Sequence, residues 1–159
     1  MGEQIGISVM KKNLSSFNED PYRITVEAPP SRANIKTLER HLVEFNESRV
    51  ERLNLRKLAF FLRDEQDQIV GGLYGETYWG WLFVSLLWVD EGLQGRGYGR
   101  ELMRLAEAEA VKRGCKQAYL DTFDFQALDF YKKIGYQIFG SLDDFPEGHT
   151  RYFLQKRIL

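Results

Sequence analysis

The chain has 159 residues, 43% hydrophobic and 28% charged, a size and balance suited to one soluble domain with its own core. Lysine and arginine number 22 against 23 aspartate and glutamate, a formal net charge of −1, which argues against nucleic acid as the main partner. The lone cysteine, Cys115, excludes an internal disulfide, the first residues lack a signal-peptide core and no apolar run reaches the ~20 residues of a membrane helix, so the expectation is a cytoplasmic protein with no membrane partner.

Residues 1–21 are expected to form an extension and residues 22–159 the folded domain. Tyr22 to Ala28 (YRITVEA) alternates apolar and polar residues and stops at Pro29-Pro30, which predicts a strand. Ser31 is placed to cap a helix running to about Val50, with Ile35, Leu38, Leu42 and Phe45 at helical spacing. A further helical turn is expected near Arg49 to Leu53. KLAFFLRD (57–64) and QIVGGLYGETYW (68–79) bracket a polar tetrad and predict a hairpin. WLFVSLLWV (81–89) is apolar on both alternating faces apart from Ser85, which predicts a central strand buried on both sides.

A helix is expected from about Gly97 to Arg113, with Leu102, Met103, Ala106 and Ala110 as its inner stripe and Gly114 ending it in the left-handed conformation. QAYLDTF (117–123) reads as a strand, Gln126 to Ile134 as a short helix closed by Gly135, and 136–142 and 150–158 as two final strands. The order β-α-β-β-β-α-β-α-β-β predicts an α/β fold: a mixed, mostly antiparallel central sheet flanked by helices.

Between the central strand and the long helix lies VDEGLQGRGYGRELM (89–103), with Gly95, Gly97 and Gly99 at alternate positions. A helix start offers unpartnered N–H groups and partial positive charge, and so attracts phosphate. Glycines let the phosphate approach the main chain and permit the left-handed turns that gather amides into a concavity. Arg96 and Arg100 add charge. A tight turn without a ligand would need only one or two glycines. A dinucleotide fingerprint from Gly95 fails because position 100 is Arg100, and a nucleotide-triphosphate loop from Gly92 fails because Tyr98 stands where lysine is required. Gln94-Gly95-Arg96-Gly97-Tyr98-Gly99 fits a third pattern, Gln/Arg-x-x-Gly-x-Gly/Ala.

That pattern resembles the pyrophosphate loop of the GCN5-related N-acetyltransferase (GNAT) superfamily. ALDFYKKIGY (127–136) resembles its second signature, and the element order agrees from Tyr22 to the end. The resemblance implies an N-acetyltransferase fold and activity, with acetyl-CoA as donor and a small-molecule or protein amine as acceptor. It implies that Gln94, Gly95, Arg96, Gly97, Tyr98, Gly99 and Arg100 hold the pyrophosphate and that the main chain of Trp88 and Val89 holds the pantetheine arm, the Val89 amide also taking the thioester oxygen. It makes Tyr131 the acid that protonates the departing sulfur; outside the motif Tyr131 would read as a core aromatic. Many family members carry asparagine seven residues before this tyrosine; here Asp124 stands there, and its contact with the coenzyme arm is in question.

The Trp88 side chain itself reads as core packing. For the base that deprotonates the acceptor, Glu76, Glu91, Asp121 and His149 are the candidates, with Glu76 and His149 slightly ahead; each also reads as a solvated or paired group, and a water relay would need none of them. Tyr74, Tyr78, Trp79 and Trp81 are weighed both as walls of an acceptor pocket and as ordinary strand residues. Cys115 reads as a small packing residue, and one cysteine with two histidines, His41 and His149, makes no metal site. A non-catalytic acyl-CoA-binding module and an unrelated nucleotide-phosphate binder remain as alternatives. Oligomeric state is open, a homodimer included.

Overall fold

The computed structural model describes residues 21–159. They fall into two compact units, one ending at Asn46 and one running from Glu47 to Leu159. In the first unit, α1 (Arg32–Glu47) starts where expected: Ser31 Oγ accepts the Asn34 N–H at 3.2 Å, and the Ser31 carbonyl accepts the Ile35 N–H at 3.1 Å. Two expectations fail here. Residues 22–28 form no strand, because no described strand pairs with them and Tyr22, Ile24 and Val26 are exposed. No helical turn follows at 49–53 either. The Glu47 carboxylate takes the Leu53 N–H at 3.1 Å and closes an irregular turn instead. Most of the expected 1–21 extension lies outside the described residues.

The second unit is a six-stranded sheet: β1 (Arg56–Arg63), β2 (Ile69–Tyr78), β3 (Trp81–Val89), β4 (Gln117–Phe123), β5 (Gln137–Asp143) and β6 (Thr150–Arg157), in the order β1-β2-β3-β4-β6-β5. The β3–β4 pair is parallel and all other neighbours are antiparallel, the mixed and mostly antiparallel sheet that the element order implies. In the β1–β2 turn, Asp64 Oδ1 accepts the N–H groups of Gln66 and Gln68 at 3.0 and 2.8 Å, which explains why so short a polar link suffices.

Two helices pack on one face of this sheet. α2 (Tyr98–Lys112) buries Leu102, Met103, Ala106 and Ala110 against Leu58, Leu73, Leu82, Leu120 and Leu154. It ends at Gly114 (φ 88°), where the Gly114 and Cys115 N–H groups close back on the carbonyls of Val111 and Ala110, both at 2.9 Å. Buried Cys115 is part of the core, and burial pushes its thiol up. α3 (Leu128–Lys133) begins two residues later than expected. Gln126 is used outside the helix, its Oε1 accepting from Thr122 Oγ1 at 3.1 Å and from the Phe123 N–H at 3.2 Å. The Glu107 carboxylate on α2 accepts from Lys156 Nζ at 2.7 Å and from the Tyr136 hydroxyl at 3.1 Å, joining α2 to β6 and to the turn after α3.

β3 departs from its expected burial. Its pairing with β4 runs only from Trp81–Gln117 to Val84–Leu120, although both strands continue. Opposite this point the β2–β3 register shifts between Tyr74 and Gly75, leaving Ser85 as the extra residue of a β-bulge; its Oγ donates to the Tyr74 carbonyl at 3.2 Å. Past the bulge β3 is no longer enclosed: Leu86 is 65% and Trp88 54% exposed, so the Trp88 side chain is not a core residue.

Gly75 makes the bulge sterically affordable, since a Cβ there would collide with the Phe83 carbonyl oxygen, a main-chain atom with no freedom to retreat. Gly75→Ala is expected to lower stability by about 1–3 kcal/mol. A urea unfolding midpoint identical to that of the unsubstituted chain would show that the bulge yields without cost.

Candidate active site

Where β3 and β4 part, β3 keeps a row of unspent main-chain groups. The Asp90 N–H donates to the Val70 carbonyl on β2 at 2.9 Å. Strand alternation then points the main-chain groups of Trp88 to β2 and those of Leu87 and Val89 toward the gap. Gln94 Nε2 donates to the Val89 carbonyl at 3.2 Å, and the Val89 N–H has no acceptor among the described residues. Leu87, two residues before Val89, is therefore the second residue whose main chain faces the gap, in place of Trp88; the period of two in the sequence already carried that signal.

The chain leaves β3 through a 3₁₀ turn, Glu91–Leu93, which the sequence reading missed. Asp90 caps it, its Oδ1 accepting the Gly92 N–H at 3.0 Å. Gly95 and Gly97 follow in the left-handed region, with φ of 75° and 91°. Gly97 caps α2 without a side chain, and the first helical bond is from the Glu101 N–H to its carbonyl at 3.0 Å. The amides of Gly95 to Arg100 thus donate to no protein acceptor among the described residues. Arg96 and Arg100 are exposed and make no ion pair among those residues. Gly99 lies against α3: a Cβ on it would be 3.5 Å from Phe130 Cζ.

These groups enclose a cavity of about 580 Å³ lined by Leu87, Trp88, Val89, Gln94, Gly95, Gly97, Tyr98, Gly99 and Arg100 from one side and by Ala127, Phe130, Tyr131 and Lys133 from the other. Arg96 and Asp124 are not part of the lining. A second cavity of about 440 Å³ adjoins it, sharing Leu87, Gln94, Ala127 and Tyr131 and adding Ser85, Asp121, Thr122, Phe125 and Gln126. Tyr131 stands at the junction, only 7% exposed. Its hydroxyl bonds to no other protein group among the described residues. Burial, and secondarily the negative charge of Asp121, push its phenol up to about 12.

The base candidates are dispersed. Asp121 lines the second cavity, but Arg151 grips its Oδ2 through Nε at 2.7 Å and Nη2 at 2.6 Å, with the guanidinium over the rings of Phe123, Phe145 and Phe153. Glu76 pairs with Phe83, on the closed side of the parting. Exposed Glu91 lies in the 3₁₀ turn and lines neither cavity. His149 stands beside Asp124, with Nδ1 3.0 Å from Oδ1. The aromatics Tyr78, Trp79 and Trp81 are at the closed end of the β2–β3 hairpin, and Tyr74 pairs with Leu86; none of the four lines either cavity. Trp79 Nε1 there donates to the Glu51 carbonyl at 3.0 Å, and Tyr78 bonds the Tyr119 hydroxyl. Lys133, Phe130, Thr122 and Gln126 were not foreseen as lining residues, and no spacing in the sequence marks them.

The family model described as acetyltransferase (GNAT) family matches residues 19–136. The chain belongs to the GNAT acetyltransferase family. Acetyltransferase Atu2258 of Agrobacterium fabrum is 38% identical over 122 residues, covering 77% of this chain and 89% of that protein. The blasticidin-S acetyltransferase of Streptomyces morookaense is 41% identical over 105 residues, covering 65% and 77%. Among solved structures, an acetyltransferase from Bacillus cereus superposes with a TM-score of 0.77 at 32% identity, over 84% of this chain and 97% of that one. For this GNAT member, the match takes in the glycine loop and the tyrosine helix together.

Because burial and the Asp121 charge both hold Tyr131 in its protonated form, its 13C ring resonance should remain that of a phenol through pH 10. Asp121→Asn removes the negative charge and should move the titration to lower pH; a move to higher pH would contradict the assigned cause.

Proposed function

We propose that this chain is an acetyl-CoA-dependent N-acetyltransferase acting on a primary amine. One observation carries the reading: the free main-chain edge of β3 runs into the free amides of the α2 start, with the Tyr131 hydroxyl beside the junction. The groups present suit the donor. The left-handed Gly95 and Gly97 bring bare amides to one wall of the larger cavity, and Arg100 and Lys133 add positive charge to it. The β3 edge, with Leu87 and Val89 facing the gap, offers an extended pantetheine arm the hydrogen bonds of an added strand.

In this reading the donor supplies an activated acetyl carbon, and the protein supplies position and protons. The Val89 N–H holds the carbonyl oxygen and favours the charge that builds on it during attack. Tyr131 remains a proton donor at neutral pH and delivers its hydroxyl proton to the departing sulfur. The acceptor reaches the carbonyl from the smaller cavity, where Ser85, Asp121, Thr122 and Gln126 supply polar groups. A small-molecule amine is favoured by the likeness to a blasticidin-S acetyltransferase.

Thiol release from acetyl-CoA across a panel of small amines tests the activity. Tyr131→Phe should cut kcat by about 100-fold while leaving the coenzyme Kd nearly unchanged. A large loss of coenzyme affinity instead would assign the tyrosine to binding. Gly97→Val forces a branched residue into a left-handed φ at the helix start and should abolish coenzyme A binding by calorimetry; full-strength binding would remove the loop from the site.

A further inference from the structure

An amine that is to attack a thioester must first lose a proton, and the acid Tyr131 cannot take it while its own proton is held so firmly. Four side chains were candidates. Asp121 is committed to Arg151, the exposed Glu91 side chain touches no cavity wall among the described residues, and Glu76 belongs to the closed part of the sheet where β3 and β4 are still paired. His149 is placed differently. It immediately precedes β6, opposite the end of β4, whose residues Asp121 and Thr122 line the smaller cavity.

The loop holding His149 is tightly tied. The His149 N–H donates to the Pro146 carbonyl at 2.9 Å, its carbonyl accepts the Phe145 N–H at 3.0 Å, and Asp144 Oδ1 accepts the Gly148 N–H at 3.3 Å. Asp124, the residue after β4, closes the arrangement. Its N–H donates to the Thr150 carbonyl at 3.0 Å, its Oδ2 accepts the Thr150 N–H at 3.2 Å, and its Oδ1 is 3.0 Å from His149 Nδ1. Both carboxylate oxygens are used, so the carboxylate has one orientation. The imidazole packs edge-on against Phe125 at 4.9 Å between ring centres, and Phe125 is a wall of the smaller cavity. The His149 side chain is 46% exposed and lines neither cavity itself; Phe125 is its link to the smaller one.

We propose that Asp124 and His149 form the base of this site: Asp124 accepts a hydrogen bond from the ring Nδ1–H, and the lone pair left on Nε2 accepts a proton from the acceptor ammonium. The inference rests on the N-acetyltransfer reading. The proton balance is complete. One ammonium proton passes to Nε2 and leaves to water from the exposed ring. The freed nitrogen lone pair forms the C–N bond and the C–S bond breaks. The sulfur takes the Tyr131 proton, and the phenolate recovers one from the newly acylated nitrogen. Asp124 touches no reactant and is a positioning residue. Its carboxylate is spent on the ring and on Thr150, which accounts for its place outside the coenzyme cavity.

The test uses the full chain, acetyl-CoA and two small acceptors: ethanolamine, protonated at neutral pH, and hydroxylamine, already unprotonated there. His149→Gln should lower kcat with ethanolamine by about 100-fold and with hydroxylamine by under ~5-fold. Independently of turnover, the two-bond 15N–1H spectrum of the His149 ring at pH 8.5 should show the proton on Nδ1 and a bare Nε2, and Asp124→Asn should erase that preference. Equal losses with both acceptors, or a proton resident on Nε2 in the unsubstituted chain, would overturn the proposal. Absence of thiol release with either acceptor would count against the acetyltransfer reading, and the ring spectrum would then still decide the pair.

Discussion

A strand in mid-sheet normally divides its main-chain groups between two neighbours, and β3 ceases to do so after Val84. The Ser85 bulge on the β2 side turns the strand, and the separation from β4 opens on the other side. An interior strand thereby acquires a free edge without aggregation risk, because the edge faces a cleft rather than solvent at the rim of the sheet. The helix that follows β3 starts at the mouth of this cleft. The same parting therefore supplies the free main-chain edge of β3, the bare amides at the start of α2 and the junction of the two cavities.

Charge is distributed around this opening with a clear division. In the larger cavity, Arg100 and Lys133 line the wall together with the residues of the α2 start. The lining carboxylate of the smaller cavity, Asp121, is held by an arginine that three aromatic rings cover. Asp121 thus acts on Tyr131 through its field and not as a free proton acceptor. In the proposed reaction the group that gives a proton and the group that takes one are on different elements, α3 and the β5–β6 loop.

The periodicities that bury a face were readable from the residues. The stripe Leu102, Met103, Ala106, Ala110 defined α2, and two β-rich runs around a short polar link defined the β1–β2 hairpin. The glycine loop was legible because positive φ leaves a chemical trace: few residues other than glycine tolerate it. What failed was information held in pairing partners. YRITVEA alternates as a strand does but pairs with no described strand, and WLFVSLLWV looks doubly buried because nothing in its composition announces that β4 leaves it. The Asp124–His149 contact was hidden for a similar reason. The two residues are 25 positions apart and are joined only by the β4–β6 register, which brings Phe123 opposite Arg151. Trp88 shows the same limit, since its size suggested a core position and its exposure follows from the gap beside it.

The contact between Gly99 and the Phe130 ring links the first turn of α2 to the helix that carries Tyr131. The clearance at that point leaves room for a methyl group and little more. A single ring, Phe130, thus separates the bare amides at the start of α2 from the phenol of Tyr131, its edge-on neighbour.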